Sequence, residues 1–87
     1  MTNIIIYTKD WCSYCHGAKQ LLTKLGLNFQ EVDVTHDQAQ FATMVKQAAG
    51  RSTVPQILID GVGIGGYTEL VQLVRNNTFP VKPAAVG

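Results

Sequence analysis

Residues 3–16 read NIIIYTKDWCSYCH, and this stretch decides the fold. Its first five residues, NIIIY, are β-branched and aromatic and read as a buried strand. Its last six, WCSYCH at 11–16, hold two cysteines with two residues between them. From Tyr14 the apolar period becomes helical: Tyr14, Ala18, Leu21, Leu22 and Leu25 fall on one face, and Gly26 supplies a stop. The cysteine pair therefore sits between a strand and a helix.

The rest of the chain extends that frame. FQEVD at 29–33 alternates well enough for a second strand. Thr35 followed by Gln38 has the spacing of a capping box. The helix it predicts carries Phe41, Met44, Val45 and Ala48 on one stripe and ends near Gly50. A buried run, QILID at 56–60, leads into Asp60-Gly61, a strong hairpin signal, and a short strand at 62–64. Gly65-Gly66 opens a last helix with Leu70, Leu73 and Val74 inward, and TFPVKPAAVG at 78–87 reads as a loose tail. The predicted order is β-α-β-α-β-β-α in one α/β domain over residues 1–77. A right-handed crossover makes the first two strands parallel and the closing hairpin is antiparallel, so the sheet is mixed, with helices on its faces.

Composition narrows the function. An 87-residue chain allows one small core. Seven basic against six acidic side chains leave no basic stripe for a phosphate backbone, which argues against nucleic acid. No apolar run approaches the roughly 18 residues of a membrane span. The short apolar run near the start has neither a basic region before it nor a cleavage site after it, so the expected location is the cytoplasm. Two cysteines so close in sequence do not make a disulfide-stapled secreted scaffold.

WCSYCH fits three chemistries. A c-type haem would use His16, with Met44 or His36 opposite, but haem attachment belongs to exported proteins and the β-rich order leaves little room for a porphyrin. A structural zinc ion takes four ligands. Only Cys12, Cys15, His16 and His36 are offered, with no second CxxC, and both histidines read as solvated positions near helix starts. The redox reading fits the junction. Cysteines at i and i+3 on a first helical turn can reach disulfide range. A thiolate there meets unpaired backbone N–H groups and the positive end of the helix dipole. Cys12, just before the helix, is then the exposed attacking cysteine. Cys15, facing Ala18 and Leu22, is the shielded resolving one. Lys9 adds a nearby positive charge.

Three segments together resemble a glutaredoxin, in the thioredoxin-fold superfamily: YTKDWCSYC at 7–15, TVP at 53–55 and GG at 65–66. The likeness spans roughly residues 2–76. It implies a thioredoxin-like fold with a central four-stranded mixed sheet, and a glutathione-dependent thiol–disulfide oxidoreductase serving electron transport and cell redox homeostasis. Cys12 would be the nucleophile and Cys15 the resolving thiol. Glutathione would lie against Lys9, Tyr14, Thr53, Val54, Pro55, Gly66, Tyr67 and Thr68, with Gly65 admitting it and Arg51 assisting at its glycine end. The resemblance implies a cis Val54-Pro55 bond, a glutathione backbone pairing with Val54, and Thr68 capping the last helix. Partners would be glutathione and glutathionylated or disulfide-containing proteins, on a monomeric apo protein.

Two departures stand out. Ser13 replaces the proline many dithiol glutaredoxins have between the cysteines. The resemblance implies that members without that proline more readily hold a [2Fe–2S] cluster in a glutathione-bridged dimer, with Cys12 of each protomer as a ligand. Tyr67 stands where many relatives have cysteine or serine, and its bulk reshapes that wall of the groove.

Overall fold

The computed structural model describes residues 3–76, and the tail expected at 78–87 lies outside the described residues. The elements are β1 (Ile4–Thr8), α1 (Ser13–Lys24), β2 (Gln30–Asp33), α2 (Gln38–Gln47), β3 (Gln56–Ile59), β4 (Val62–Gly65) and α3 (Tyr67–Arg75), in the predicted order. They build one four-stranded sheet, ordered β2-β1-β3-β4. β1 runs parallel to β2, with Ile6 opposite Glu31. It runs antiparallel to β3, with Ile6 opposite Ile57. The β3–β4 hairpin is antiparallel, with a register shift between Ile57 and Leu58.

Strand alternation sorts the apolar side chains onto two faces. Ile4 and Ile6 of β1, with Ile57 and Ile59 of β3, pack against Ala18 and Leu22 of α1 and Leu70 of α3. On the opposite face, Tyr7 and Leu58 pack with Val34 and with Met44 of α2. Two helices therefore cover one face and one covers the other. Ile6, Leu22, Ile57 and Leu70 are completely buried, and each contributes on the order of 1.5–3 kcal/mol by leaving water. With β1 held between β2 and β3, the loop after it is anchored at the C-terminal end of a central strand.

Two local expectations are corrected. Tyr14 leaves the apolar face of α1: its side chain is largely exposed, while Ala18 and Leu22 are buried. The buried residue of the first turn is Cys15, and the Tyr14 ring stands beside it, 5.8 Å from the Tyr67 ring of α3. The start of α2 is capped by Asp37, whose Oδ1 accepts the Gln40 N–H at 3.0 Å. Thr35 does not cap it, because its hydroxyl donates to Asp33 Oδ1 at 2.6 Å and accepts the Asp10 N–H at 2.8 Å. That bond ties the loop carrying the cysteines to the end of β2.

Leu22→Ala is expected to destabilise the fold by about 2–5 kcal/mol, because a cavity would open under the sheet. Lys24→Ala, on the exposed side of the same helix, should stay within about 0.5 kcal/mol. Urea denaturation of both variants checks the pair, and equal effects would contradict this placement of α1.

Candidate active site

Cys12 is the N-cap of α1, in an extended conformation with φ −107° and ψ 104°. Its Sγ accepts the Cys15 N–H at 3.1 Å. Its carbonyl accepts the His16 N–H, also at 3.1 Å. The sulfur thus does what a serine or aspartate oxygen does at most helix starts, and negative charge on it would face the helix's unpaired donors. In the reduced form the Cys12 thiol donates to the Val54 carbonyl at 3.8 Å. The Val54-Pro55 peptide is cis. These contacts bring the start of α1 and the TVP loop to one sulfur.

Trp11, next to Cys12, is fully exposed and has φ 59°, in the left-handed region that bulky residues seldom adopt. Such conformations concentrate at functional sites.

Both cysteines are free thiols, but their surroundings differ. Cys12 is half-buried, whereas Cys15 is only 2% exposed. Burial pushes the Cys15 thiol up to about 12, helped by its hydrogen bond to Cys12 and by the negative charge Cys12 can carry. The Lys9 backbone and the Lys19 ammonium oppose this more weakly. The pair is therefore an accessible sulfur backed by a proton-holding one.

Two depressions lie near the pair. One, of about 620 Å³, is lined by Lys9, Trp11, Cys12, Cys15 and His16, with Lys19 and Glu31 among its charged neighbours. Lys19 Nζ lies 2.9 Å from Glu31 Oε2, which also accepts the Thr8 hydroxyl at 2.7 Å. The Thr8 bond, then Lys19, holds the Glu31 carboxyl below its usual range. The other, of about 140 Å³, is lined by Tyr14, Thr53, Val54, Pro55, Gly66, Tyr67 and Thr68, together with Arg51 and Glu69. Though smaller, it is bordered by both the TVP loop and the start of α3.

All but one of the ligand-contact residues expected from the sequence gather in that smaller depression. The exception is Lys9, whose Nζ sits 4.6 Å above the Phe41 ring. Among the described residues, no three His, Cys, Asp or Glu side chains converge where a metal ion could bind.

Sequence reading missed Glu69 and misassigned the cap of α3. The N-cap is Gly66, not Thr68. Glu69 Oε1 accepts the Gly66 N–H at 2.6 Å and lies 3.7 Å from Arg51 Nη1. That N–H, chiefly, lowers the Glu69 carboxyl below its usual range. The spacing was visible, since glutamate sits at the third helical position as in a capping box; a glycine N-cap, which cannot return the bond, hid it. Gly65 is obligatory here: its φ is 107°, and a Cβ would lie 2.7 Å from Glu69 Cγ.

Comparison with known proteins agrees with this geometry. The family model for glutaredoxin matches residues 4–64. The chain is similar to glutaredoxin 3 of Escherichia coli, 48% identical over 73 residues that cover 84% of this chain and 87% of the relative. Among solved structures it resembles a buckwheat glutaredoxin–glutathione complex, with TM-score 0.79 and 26% identity over 88% of this chain and 72% of that one. It also resembles a glutaredoxin from Brucella melitensis, with TM-score 0.75 and 39% identity over 87% and 82% of the two chains.

The Cys15 thiol rises from 9.0 to about 12, so the folded state holds that proton more tightly than the unfolded chain does. The resulting stabilisation is complete below pH 9.0 and is lost as pH rises toward about 12. Over that interval, stability measured by urea unfolding should fall more steeply with pH in the wild type than in Cys15→Ala. Parallel slopes would contradict the shielded thiol.

Proposed function

The chain belongs to the glutaredoxin family, which implies a thiol–disulfide oxidoreductase, and we propose that it is a glutathione-dependent one, acting in the cytoplasm on glutathionylated and disulfide-containing proteins. The observation that carries this reading is the position of Cys12 Sγ: accepting the Cys15 N–H at 3.1 Å at the mouth of α1 and facing the Val54 carbonyl at 3.8 Å.

The chemistry follows from the two environments. Cys12 thiolate attacks the glutathionyl sulfur of a mixed disulfide, and the protein thiolate leaves and takes a proton from solvent. A second glutathione thiolate attacks the glutathionyl sulfur now on Cys12. This releases Cys12 thiolate and oxidised glutathione. Neither step needs Cys15.

A protein disulfide follows a different route. Cys12 forms a mixed disulfide with one substrate sulfur and releases the other as a thiolate. Once Cys12 is so bonded it carries no charge, which removes one of the influences that keep the Cys15 proton in place. Cys15 then loses its proton, attacks Cys12 Sγ and expels the remaining substrate thiolate. Two glutathiones reduce the resulting Cys12–Cys15 disulfide.

Glutathione is read into the smaller depression. The polar groups of Val54 suit a peptide backbone laid alongside like an added strand. The first N–H groups of α3 suit the γ-glutamyl carboxylate, beside the hydroxyls of Thr53 and Thr68. Tyr14, Pro55, Gly66 and Tyr67 supply the walls. Lys9 would have to leave Phe41 to meet a ligand carboxylate, and Arg51 stands near the same groove. The buckwheat neighbour is a complex with glutathione, which supports glutathione as the ligand. A [2Fe–2S] role for Cys12 in a glutathione-bridged dimer rests on Ser13 alone.

Cys15→Ser should keep deglutathionylation and lose most protein-disulfide reduction, while Cys12→Ser should lose both. A coupled assay on a glutathionylated peptide and on a protein disulfide checks this. Activity in Cys12→Ser would overturn the assignment.

A further inference from the structure

Tyr67 is the bulky residue at the start of α3, and its ring does not lie free in the groove. It is half-buried and packs against the core between the sheet and α1. Its ring centroid is 5.8 Å from that of Tyr14, with the planes tilted by 38°. The two rings form one continuous aromatic wall of the smaller depression.

The wall has a seat. Gly17, on α1, lies directly beneath the Tyr67 ring: a Cβ at that position would come within 3.1 Å of Tyr67 Cε1 and 3.6 Å of Cδ1 and Cζ. Gly17 has no positive φ to require glycine, and glycine inside a helix is unfavourable relative to alanine. What position 17 offers in exchange is a bare patch of backbone on which a phenol ring can rest. Gly17 itself lines neither depression.

We propose that Gly17 and Tyr67 are a matched pair that sets the width of the ligand depression, which makes Gly17 a positioning residue for glutathione although it never touches the ligand. The inference rests on reading that depression as the glutathione site. With Gly17 in place, the Tyr67 ring lies back against α1 and leaves a slot slim enough to grip a peptide of glutathione's size along its γ-glutamyl end. A side chain at 17 pushes the ring off its seat and into the slot. Removing the ring widens the slot and takes away a contact face.

The pairing predicts a specific pattern in steady-state kinetics with a glutathionylated peptide. Gly17→Leu and Tyr67→Ala should each raise KM about three- to tenfold, the range expected for loss of one aromatic contact. Both should leave kcat within about twofold, since ground-state and transition-state binding are lost together and Cys12 is untouched. In the Tyr67→Ala background, Gly17→Leu should add nothing, because no ring remains to displace. Thermal unfolding gives a second readout that needs no activity and only a small substitution. Gly17→Ala should raise Tm more in the Tyr67→Ala background than in the wild type, where the new methyl meets the ring. A wild-type KM in folded Gly17→Leu would overturn the pairing, as would equal effects of Gly17 substitutions in both backgrounds. A wild type with no glutathione-dependent turnover would overturn the functional reading as well. Normal turnover with additive variants would overturn the pairing alone.

Discussion

A helix needs a group to accept its first N–H donors, and at the start of α1 that group is the sulfur of Cys12, the N-cap residue. Cys12 Sγ accepts the Cys15 N–H at 3.1 Å, where an oxygen stands in most helices. One contact therefore serves two ends: it fixes the start of α1 and it points a donor at the atom that must carry negative charge. Everything else in the fold aims elements at that point. β1, paired on both sides, delivers the loop. The Asp10–Thr35 bond holds the loop to the end of β2, and the cis-proline loop brings the Val54 carbonyl to within 3.8 Å of the sulfur.

The same arrangement separates two thiols of identical intrinsic chemistry. Their difference arises from one helical turn: Cys12 precedes α1 and is half-buried, while Cys15 turns onto the face that carries Ala18 and Leu22 and is sealed there. Desolvation of a charge in such a place outweighs the attraction of Lys19. In the proposed reaction, bonding of Cys12 to a substrate sulfur would remove one of the influences that hold the Cys15 proton, the charge on Cys12.

Much of this was legible in the sequence because it is local. The strand at 4–8, the helix after it, the hairpin at Asp60-Gly61 and the burial contrast between the two cysteines all follow from period, turn chemistry and position at a helix mouth. What escaped the sequence depends on long-range company. Thr35 has the spacing of a cap, but its hydroxyl is taken by Asp33 and Asp10, and Asp37 caps instead. Tyr14 matches the apolar stripe of α1 yet stays largely exposed, its ring beside Tyr67 of the last helix. Lys9 rests over Phe41, a residue 32 positions away in the chain. Gly17 carries no sequence signal at all, since its neighbour Tyr67 comes from the last helix.

If the mouth of α1 sets the roles of the two thiols, Cys12, and not Cys15, is the sulfur that meets glutathione. Adding oxidised glutathione to the fully reduced protein, then mapping its cysteines by mass spectrometry after acid quenching and digestion, tests it directly. The expected result is a glutathionyl group on Cys12 at early times, giving way to a Cys12–Cys15 disulfide. Glutathionylation of Cys15 ahead of Cys12, or no reaction at either thiol, would contradict it.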